Sequence, residues 1–304
     1  MNIYTHNFNI NSDSGPNKFT RQLMKTMIRN QKVNLTSKQN ADVEFCLIQQ
    51  DSKKEKPMLL RLDGIWFNSD QDYKNQNAPI EYAYKNSDAV VFQSNFNKKL
   101  TEAWFGEHHN SHVIHNAADH SFIEDIKKYP VDFSNVFEKD CEVWTSASSW
   151  RPHKRLRENI RYFLEFAPKN ANLAIAGKGV EPELRKEFND KRIKFLGDLM
   201  YPALVALYLR STTFVHLSYL DHCPNVVVDA QAAGCKIICS STGGTSEIVE
   251  SGTIVIADEW DFKPCKLYNP PAIKFNSFRH HSISKNRTIL NCAKRYFDVL
   301  QGII

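Results

Sequence analysis

The sequence predicts an α/β fold: two doubly wound, Rossmann-like domains with a cleft between them. Three observations support this prediction. Short runs of β-branched and aliphatic residues alternate with longer helix-like segments, most of the short runs are apolar throughout, and the alternation lapses once, in the polar stretch 125–140. Strands that are apolar on both faces are typical of parallel sheets covered by helices. A chain of 304 residues is long enough for two such domains.

The first set of elements occupies the N-terminal part of the chain. The predicted strands are residues 1–8, 42–49, 57–62, 88–94 and 112–116, and the predicted helices are 17–30, 79–86 and 95–105. Strand-like runs that are separated by helix-length segments indicate parallel strands joined by helical crossovers. We therefore predict a first domain over residues 1–135.

The second set follows the polar stretch. Its predicted strands are residues 141–148, 172–177, 192–197, 212–218, 236–241 and 253–257, and its predicted helices are 154–166, 181–189, 200–210, 224–233 and 244–250. We predict a second domain over residues 136–275. A last helical pattern begins near residue 285, so residues 276–304 are predicted to form a C-terminal helix that packs back on the first domain.

The composition narrows the class of protein. Lys and Arg exceed Asp and Glu by 39 − 34 = 5, which favours anionic ligands but is too small an excess to indicate nucleic acid binding. The first residues lack the apolar core of a signal peptide, and the longest apolar run, 201–209, is too short to span a bilayer. Seven cysteines without a paired spacing indicate reduced thiols. We expect a soluble, cytoplasmic protein, and membrane-surface contact is not indicated.

One loop and the helix after it carry two acids, Asp221 and Asp229, with seven residues between them. The loop follows a predicted strand, and ligands of open α/β sheets bind beyond the carboxyl ends of strands. The N–H groups of Asn225 and Val226, at the predicted helix start, suit a phosphate or sugar oxygen. Two carboxylates could accept hydrogen bonds from the hydroxyls of one polyol ligand. The spacing alone is explained equally well by two solvated acids.

Two neighbouring strand ends carry groups that suit a diphosphate. Lys154 and Arg151 lie between a strand and a helix, where their charges and the helix N-terminus would face an anion. Gly243 and Gly244 follow another strand, and glycines let a backbone approach a ligand closely. In the first domain, Gly15 follows the first strand and could face the ligand across the cleft. Taken alone, the basic group is better explained by a solvated helix start, and the glycine pair is also explained by a plain strand-to-helix turn. Beside the two acids of the neighbouring loop, the basic group favours a ligand site.

The segment DHCPNVVVDAQAAGCKII resembles a motif of the GT-B glycosyltransferases, in particular of the large retaining family four that is related to glycogen synthase. That family has EGxPNVVLEAMAAGxPVI, with a Glu-x7-Glu spacing, and here both glutamates are shortened to aspartates. The segments SDAVVFQS and HVIHNAAD also resemble the family's first domain. The resemblance implies an acceptor-side first domain and a second domain that binds a nucleotide-sugar donor.

The resemblance also implies roles for single residues. Asp221 would hold the hydroxyls of the donor sugar, Asp229 would hold the ribose hydroxyls of the nucleotide, and Lys154 would bind the donor diphosphate. The arginine that the family has five residues before this lysine would fall at Ser149, so Arg151 is the proposed substitute.

The glycines and the first domain are matched in the same way. Gly243 and Gly244 match the family's glycine turn, and Gly15 matches its first-domain glycine loop. Arg61 and Asp63 stand where the family often has a histidine, which makes them candidates for contacts to the acceptor or the donor.

The reaction that the resemblance implies is transfer of a hexose from a nucleotide-diphosphate sugar to an acceptor hydroxyl, with retention at the anomeric carbon. The acceptor would be a glycan, a lipid or a protein-linked group. Neither a cofactor nor a metal is expected, because cationic side chains can stabilise the departing diphosphate. Two alternatives stay open. The first is a nucleotide-sugar-binding module with weak or lost turnover, because each aspartate is one methylene shorter than a glutamate. The second is a nucleotide-sugar epimerase of the same architecture.

Overall fold

The computed structural model describes residues 1–257, 259–282 and 287–304. The described residues form thirteen β-strands: β1 Asn2–His6, β2 Asn34–Leu35, β3 Val43–Leu47, β4 Met58–Leu62, β5 Ala89–Phe92, β6 Ser111–Val113, β7 Glu142–Ala147, β8 Ala171–Ala176, β9 Ile193–Gly197, β10 Thr213–His216, β11 Lys236–Ser240, β12 Ser251–Val255 and β13 Phe278–Ser282. They also form ten α-helices: α1 Gly15–Asn30, α2 Tyr73–Asn86, α3 Asn95–Phe105, α4 His120–Lys128, α5 Leu156–Phe166, α6 Pro182–Glu187, α7 Tyr201–Arg210, α8 Asn225–Ala232, α9 Thr245–Ile248 and α10 Ile289–Gln301.

The chain divides into two compact units. The first contains Met1–Ala118, the short segment Asp261–Cys265 and helix α10, and the second contains Asp119–Trp260 and β13. The sequence places the boundary at residue 135, whereas the structure assigns α4 to the second unit. The physical reason is packing, because α4 contacts α7 and Phe122 stacks on Tyr201 at a centroid distance of 5.2 Å.

The first unit is built on a six-stranded sheet in the order β2-β1-β3-β4-β5-β6, and all five strand pairs are parallel. The three central strands β3, β4 and β5 are buried at every position, as the apolar runs predict. Helices α1 and α10 pack together on this sheet, with Phe19 and Phe45 both against the buried ring of Tyr296.

Helix α1 shows why these residues form a helix at the end of β1. The Ser14 side chain accepts a hydrogen bond from the backbone N–H of Asn17, and a proline stands in the first turn, where a missing N–H is tolerated. Its buried residues recur at helical spacing: Phe19, Thr20, Leu23, Met24 and Met27. The opposite face is left to solvent.

The second unit is built on a seven-stranded sheet in the order β13-β12-β11-β10-β7-β8-β9. All strand pairs are parallel except β12 with β13, which is antiparallel. Strands β7 and β10 are neighbours near the middle, and β11 lies beside β10. The order therefore brings the carboxyl ends of β7, β10 and β11 together, and the segments that follow these ends carry the predicted site residues of the second unit.

The prediction of two doubly wound α/β domains is confirmed. The structure also contains three elements that the sequence does not predict, namely β2, α4 and β13. Strand β2 has two residues, and β13 reads FRHHS, a mostly exposed edge strand without an apolar pattern. Residues 276–304 are therefore not a helix alone, because β13 precedes α10 and pairs with the second unit. The predicted helix start at residues 285 and 286 lies outside the described residues.

Two further features bear on the predicted class of protein. Within the described residues, no helix has the length and apolar character needed to cross a membrane. All seven cysteines lie in the part of the chain that the structure describes, and each of them is a free thiol.

Candidate functional site

A lysine and a carboxylate meet at the ends of the two middle strands of the second sheet. After β7 the chain makes a short 3-10 turn, Pro152–Lys154, which ends on Lys154. Asp221 lies in the loop after β10. The Nζ atom of Lys154 is 2.5 Å from Oδ2 of Asp221, and the two side chains are 18% and 14% exposed. The pair is therefore mostly removed from water but still open to a ligand.

The backbone around the pair is held in place by buried polar contacts. In helix α5, the Asn159 side chain donates to Oγ of Ser146 at 3.0 Å and accepts from the N–H of Leu217 at 2.9 Å, so that it joins the ends of β7 and β10. The N–H of Tyr219 donates to the carbonyl of His153 at 2.7 Å, which ties the two loops to each other. Both loops are thereby fixed relative to one another before any ligand binds.

The Asp221 carboxyl is an anion in this setting. Burial raises the pKa of this carboxyl, but the charge of Lys154 and a hydrogen bond from His216 more than offset the burial and hold the pKa well below its usual range. The Nε2 atom of His216 is 3.0 Å from Oδ2, the same oxygen that Lys154 contacts. Asp221 therefore offers a charged acceptor at neutral pH.

Three histidines surround this carboxylate. Burial lowers the pKa of His216, lowers that of His153 to about 3 and lowers that of His222 to about 4, in each case against the opposing charge of Asp221. His153 also stacks on Tyr268 at a centroid distance of 5.4 Å. All three rings are therefore neutral at pH 7, and Lys154 is the cation that contacts the carboxylate.

The glycine turn is joined to the Asp221 loop by backbone contacts. Asp221 and Gly243 form an isolated parallel bridge, and the N–H of Gly244 donates to the Asp221 carbonyl at 2.7 Å. Gly243 has a φ of +83°, and a Cβ added there would stand 2.6 Å from the Asp221 carbonyl oxygen. Leu220 also has a positive φ, of 54°. Only glycine fits the Gly243 position, so the close approach of the two loops depends on it.

Helix α8 begins at the predicted place. Its first residues are Asn225 and Val226, both half-buried, and no side chain caps the helix start. Asp229 lies more than one turn inside the helix and is half-buried. Its charge helps to raise the pKa of the Tyr208 hydroxyl, after burial as the larger cause, so the two side chains lie close enough to interact.

The two arginines near Lys154 have different environments. Arg151 is exposed at the start of the 3-10 turn, and its charge is one of the causes that lower the His153 pKa. Arg155 is 2% exposed and donates to the carbonyls of Leu217 and Pro271, at 3.4 and 2.7 Å. Arg151 is therefore the arginine that is accessible to a ligand, whereas Arg155 supports the loops.

The three remaining predicted residues lie in the first unit. Gly15 is the exposed first residue of α1. The Arg61 side chain is fully buried, forms an ion pair with Asp63 and donates to Oδ1 of Asn116 at 3.0 Å. Its guanidinium therefore belongs to the interior, and the predicted ligand contact of Arg61 is not available in this structure. The Asp63 side chain is 14% exposed.

Sequence reasoning missed two residues that shape this site. His216 is the last residue of an apolar strand, and Asn159 lies inside an amphipathic helix, so the local pattern gives neither a signal. A polar residue within an otherwise buried run is the one hint available, because such a residue requires a partner.

Within the described residues, no three histidine, cysteine or acidic side chains are grouped so that they could hold a metal ion. The sequence-based expectation that no metal takes part stays a prediction.

The comparisons with known proteins bear on the second unit and on the whole fold. Residues 131–261 match the family model described as glycosyl transferases group 1. No curated protein matches the chain by sequence. Among solved structures, Anabaena HepE in complex with UDP and glucose has a TM-score of 0.67 at 14% identity, with 99% of this chain and 100% of that chain covered.

Two further solved structures are similar over most of their length. Sucrose-phosphate synthase from Thermosynechococcus elongatus has a TM-score of 0.65 at 12% identity, covering 100% of this chain and 94% of that one. WaaG, a glycosyltransferase involved in lipopolysaccharide biosynthesis, has a TM-score of 0.61 at 10% identity, covering 88% and 89%. At these identities the likeness shows the fold, and that fold is GT-B.

Proposed function

We propose that this chain is a glycosyltransferase that moves a hexose from a nucleotide-diphosphate sugar to an acceptor hydroxyl with retention at the anomeric carbon. The GT-B fold and the match of residues 131–261 to the family model described as glycosyl transferases group 1 support this proposal. The observation that carries this proposal is the contact of 2.5 Å between Nζ of Lys154 and Oδ2 of Asp221, beside the Gly243 turn. A cation for a diphosphate and an acceptor for sugar hydroxyls thus stand side by side.

The cationic half of the site would bind the diphosphate. Lys154 supplies a point charge at the strand end, Arg151 is exposed beside it, and the α8 start offers the N–H groups of Asn225 and Val226. Negative charge grows on the diphosphate as the bond to the sugar breaks. Cations held in place before the reaction stabilise that charge most in the transition state, so Lys154 and Arg151 would lower the barrier without a metal.

The anionic half of the site would bind the two sugars of the donor. Asp221 would accept hydrogen bonds from hydroxyls of the transferred hexose, and Asp229, in α8, would accept them from the ribose. The Gly243–Gly244 turn lies against the Asp221 loop and lets the backbone approach the ligand. Support for a donor of this class comes from Anabaena HepE, which was solved with UDP-glucose.

A nucleotide-sugar-binding module is the second candidate, and one observation favours it. Asp221 has one methylene fewer than a glutamate, so its reach toward a ligand is shorter by about 1.5 Å. Its Oδ2 atom is also already in contact with Lys154 and His216. A charged hydrogen bond that is lost or stretched costs roughly 1.5–3 kcal/mol, which lowers a rate by ten- to a hundredfold.

The acceptor of the proposed transferase would be a glycan, a lipid or a protein-linked hydroxyl. The free cysteines favour a reducing, cytosolic compartment.

A panel of UDP-, GDP- and ADP-glucose in a thermal-shift assay, followed by donor hydrolysis on each hit, tests the proposal. We expect one base to raise the unfolding midpoint and the same donor to be hydrolysed, in the presence and absence of a chelator. Stabilisation without hydrolysis or transfer would favour the binding module. A panel without any stabilising member would overturn both candidates, and loss of turnover in the chelator would overturn the metal-free chemistry.

A further inference from the structure

His216 is a buried side chain that touches the proposed sugar-binding acid and that no part of the proposed function uses. It is the last residue of β10 and is 1% exposed. Its Nε2 atom is 3.0 Å from Oδ2 of Asp221. Its Nδ1 atom is also buried and has no hydrogen-bond partner among the described residues. The ring is therefore anchored to the site through a single contact.

The contact has a defined direction. Because Nδ1 meets no acceptor and Asp221 is ionised, the ring proton lies on Nε2, which donates to the carboxylate. Phe214 lies parallel to the ring at a centroid distance of 6.1 Å. His216 thus acts as a neutral donor at a position fixed by the end of a central strand.

Donor binding would change what Asp221 contacts. In the free protein, Lys154 and His216 share the oxygen Oδ2. The diphosphate would draw Lys154 toward itself, and a mostly buried carboxylate that loses an ion pair is strongly destabilised. His216 cannot follow the donor, because its ring is enclosed by the protein. It would keep one hydrogen bond on Asp221 when Lys154 turns away.

The length of the acid makes this anchor important. An aspartate has one methylene fewer than a glutamate, so its carboxylate has fewer ways to turn toward a ligand. Both contacts are made to Oδ2, which leaves Oδ1 for the sugar.

We propose that His216 is a positioning residue for the donor sugar, which holds Asp221 by Oδ2 so that Oδ1 can accept from the sugar hydroxyls while Lys154 binds the diphosphate. This inference rests on the proposed function. It predicts that loss of His216 affects the binding of the sugar but not the binding of the nucleotide.

The test compares two ligands on four variants by calorimetry. The ligands are UDP and UDP-glucose, or the matching GDP or ADP pair where that pair stabilises the wild type. We expect His216→Leu to leave the Kd of the diphosphate within about twofold, and to raise the Kd of the sugar donor and lower kcat/KM at least tenfold. His216→Gln, whose amide N–H reaches the place of Nε2, should recover most of this loss, and His216→Asn, whose amide is too short, should not.

The exposed ring of His280 on β13 provides the control, and His280→Leu should change neither affinity. If His216→Leu does not fold, the comparison of the Gln and Asn variants decides in its place. Equal effects on both ligands, or none on either, would overturn the inference while the wild type still binds the donor. Failure of the wild type to bind any panel member would overturn the proposed function first.

Discussion

The charge state of Asp221 is determined by burial and by two neighbours, Lys154 and His216. Lys154 lies 67 residues before it in the chain, whereas His216, the last residue of β10, lies only five residues before it. Removing the lysine takes away the ion pair of a carboxylate that is only 14% exposed in the wild type, and leaves the neutral His216 as a donor to it. The pKa of Asp221 then rises, because the largest stabilising charge is gone while the burial that raises the pKa remains.

Lys154→Ala is expected to lower kcat of transfer at least a hundredfold, since it removes the cation that would stabilise the departing diphosphate. The fold should persist, because the loops after β7 and β10 are held together by backbone hydrogen bonds and by the Asn159 side chain. Steady-state kinetics and circular dichroism measure the two effects. Lys169→Ala, at an exposed lysine of the same unit, is the control. Full activity in Lys154→Ala would remove the diphosphate assignment.

Asp229→Ala is expected to weaken nucleotide binding, because the ribose hydroxyls would lose a charged acceptor. A loss of roughly 1.5–3 kcal/mol corresponds to a ten- to a hundredfold rise in the Kd of the nucleoside diphosphate. The thermal shift that the diphosphate produces measures this loss directly. An unchanged shift would show that Asp229 does not bind the ribose.

At the scale of elements, the site is a junction of three strand ends and two turns. Helix α5 joins β7 to β10 through Asn159, and the Gly243 turn joins the end of β11 to the loop after β10. These contacts hold the polar groups of the site close together. The contact of the Gly243 turn also depends on a backbone conformation with a positive φ, which residues other than glycine rarely adopt.

Gly243→Ala is expected to shift the Asp221 loop and to lower activity at least tenfold. The new Cβ would stand 2.6 Å from the Asp221 carbonyl oxygen, in a backbone with a φ of +83°. Gly234→Ala is the matched control, because Gly234 also has a positive φ, of +103°, but nothing lies within 4 Å of its Cβ position. Both variants should lose about 1–2 kcal/mol of stability from backbone strain. Equal activity in the two would show that the close approach of the loops is unimportant.

At the scale of the whole molecule, burial of neutral histidines makes stability depend on pH. The folded pKa values of His153 and His222, about 3 and about 4, lie below the ordinary value of 6.5. The unfolded chain therefore binds more protons between pH 4 and 6.5, so the free energy of unfolding falls as the pH is lowered through this range. Asp221, with a lowered pKa, adds a loss that begins only below about pH 4.

We expect the unfolding midpoint of the wild type to fall by several degrees between pH 7 and pH 5. In His153→Phe, which keeps a ring to stack on Tyr268, this fall should be smaller because one of the titrating groups is gone. Differential scanning calorimetry at the two pH values measures both. A wild-type midpoint that is the same at pH 5 and pH 7 would contradict the expectation.

The prediction of fold from sequence succeeds where a local pattern carries the information. Eleven predicted strands correspond to β1 and to β3 through β12, because most of them are short runs that their own residues make apolar. Strand β13 was missed because FRHHS gains its strand conformation from pairing with β12 and not from its own composition. The boundary after Ala118 was missed because the contact of α4 with α7 joins residues far apart in the chain.

Local hydrophobicity, glycine positions and the spacing of two acids are enough to predict the two-domain α/β plan, the order of the elements and the residue types at the strand ends. Three features become visible only in three dimensions: Lys154 contacts Asp221, Arg61 is buried in the first unit, and the buried His216 contacts the same carboxylate. The Lys154 contact joins residues 67 positions apart and forms because the strand order places β7 beside β10, which no local pattern encodes. Arg61 is held in the first unit by Asn116, 55 positions away, and His216 reaches Asp221 only through the folding of the loop after β10.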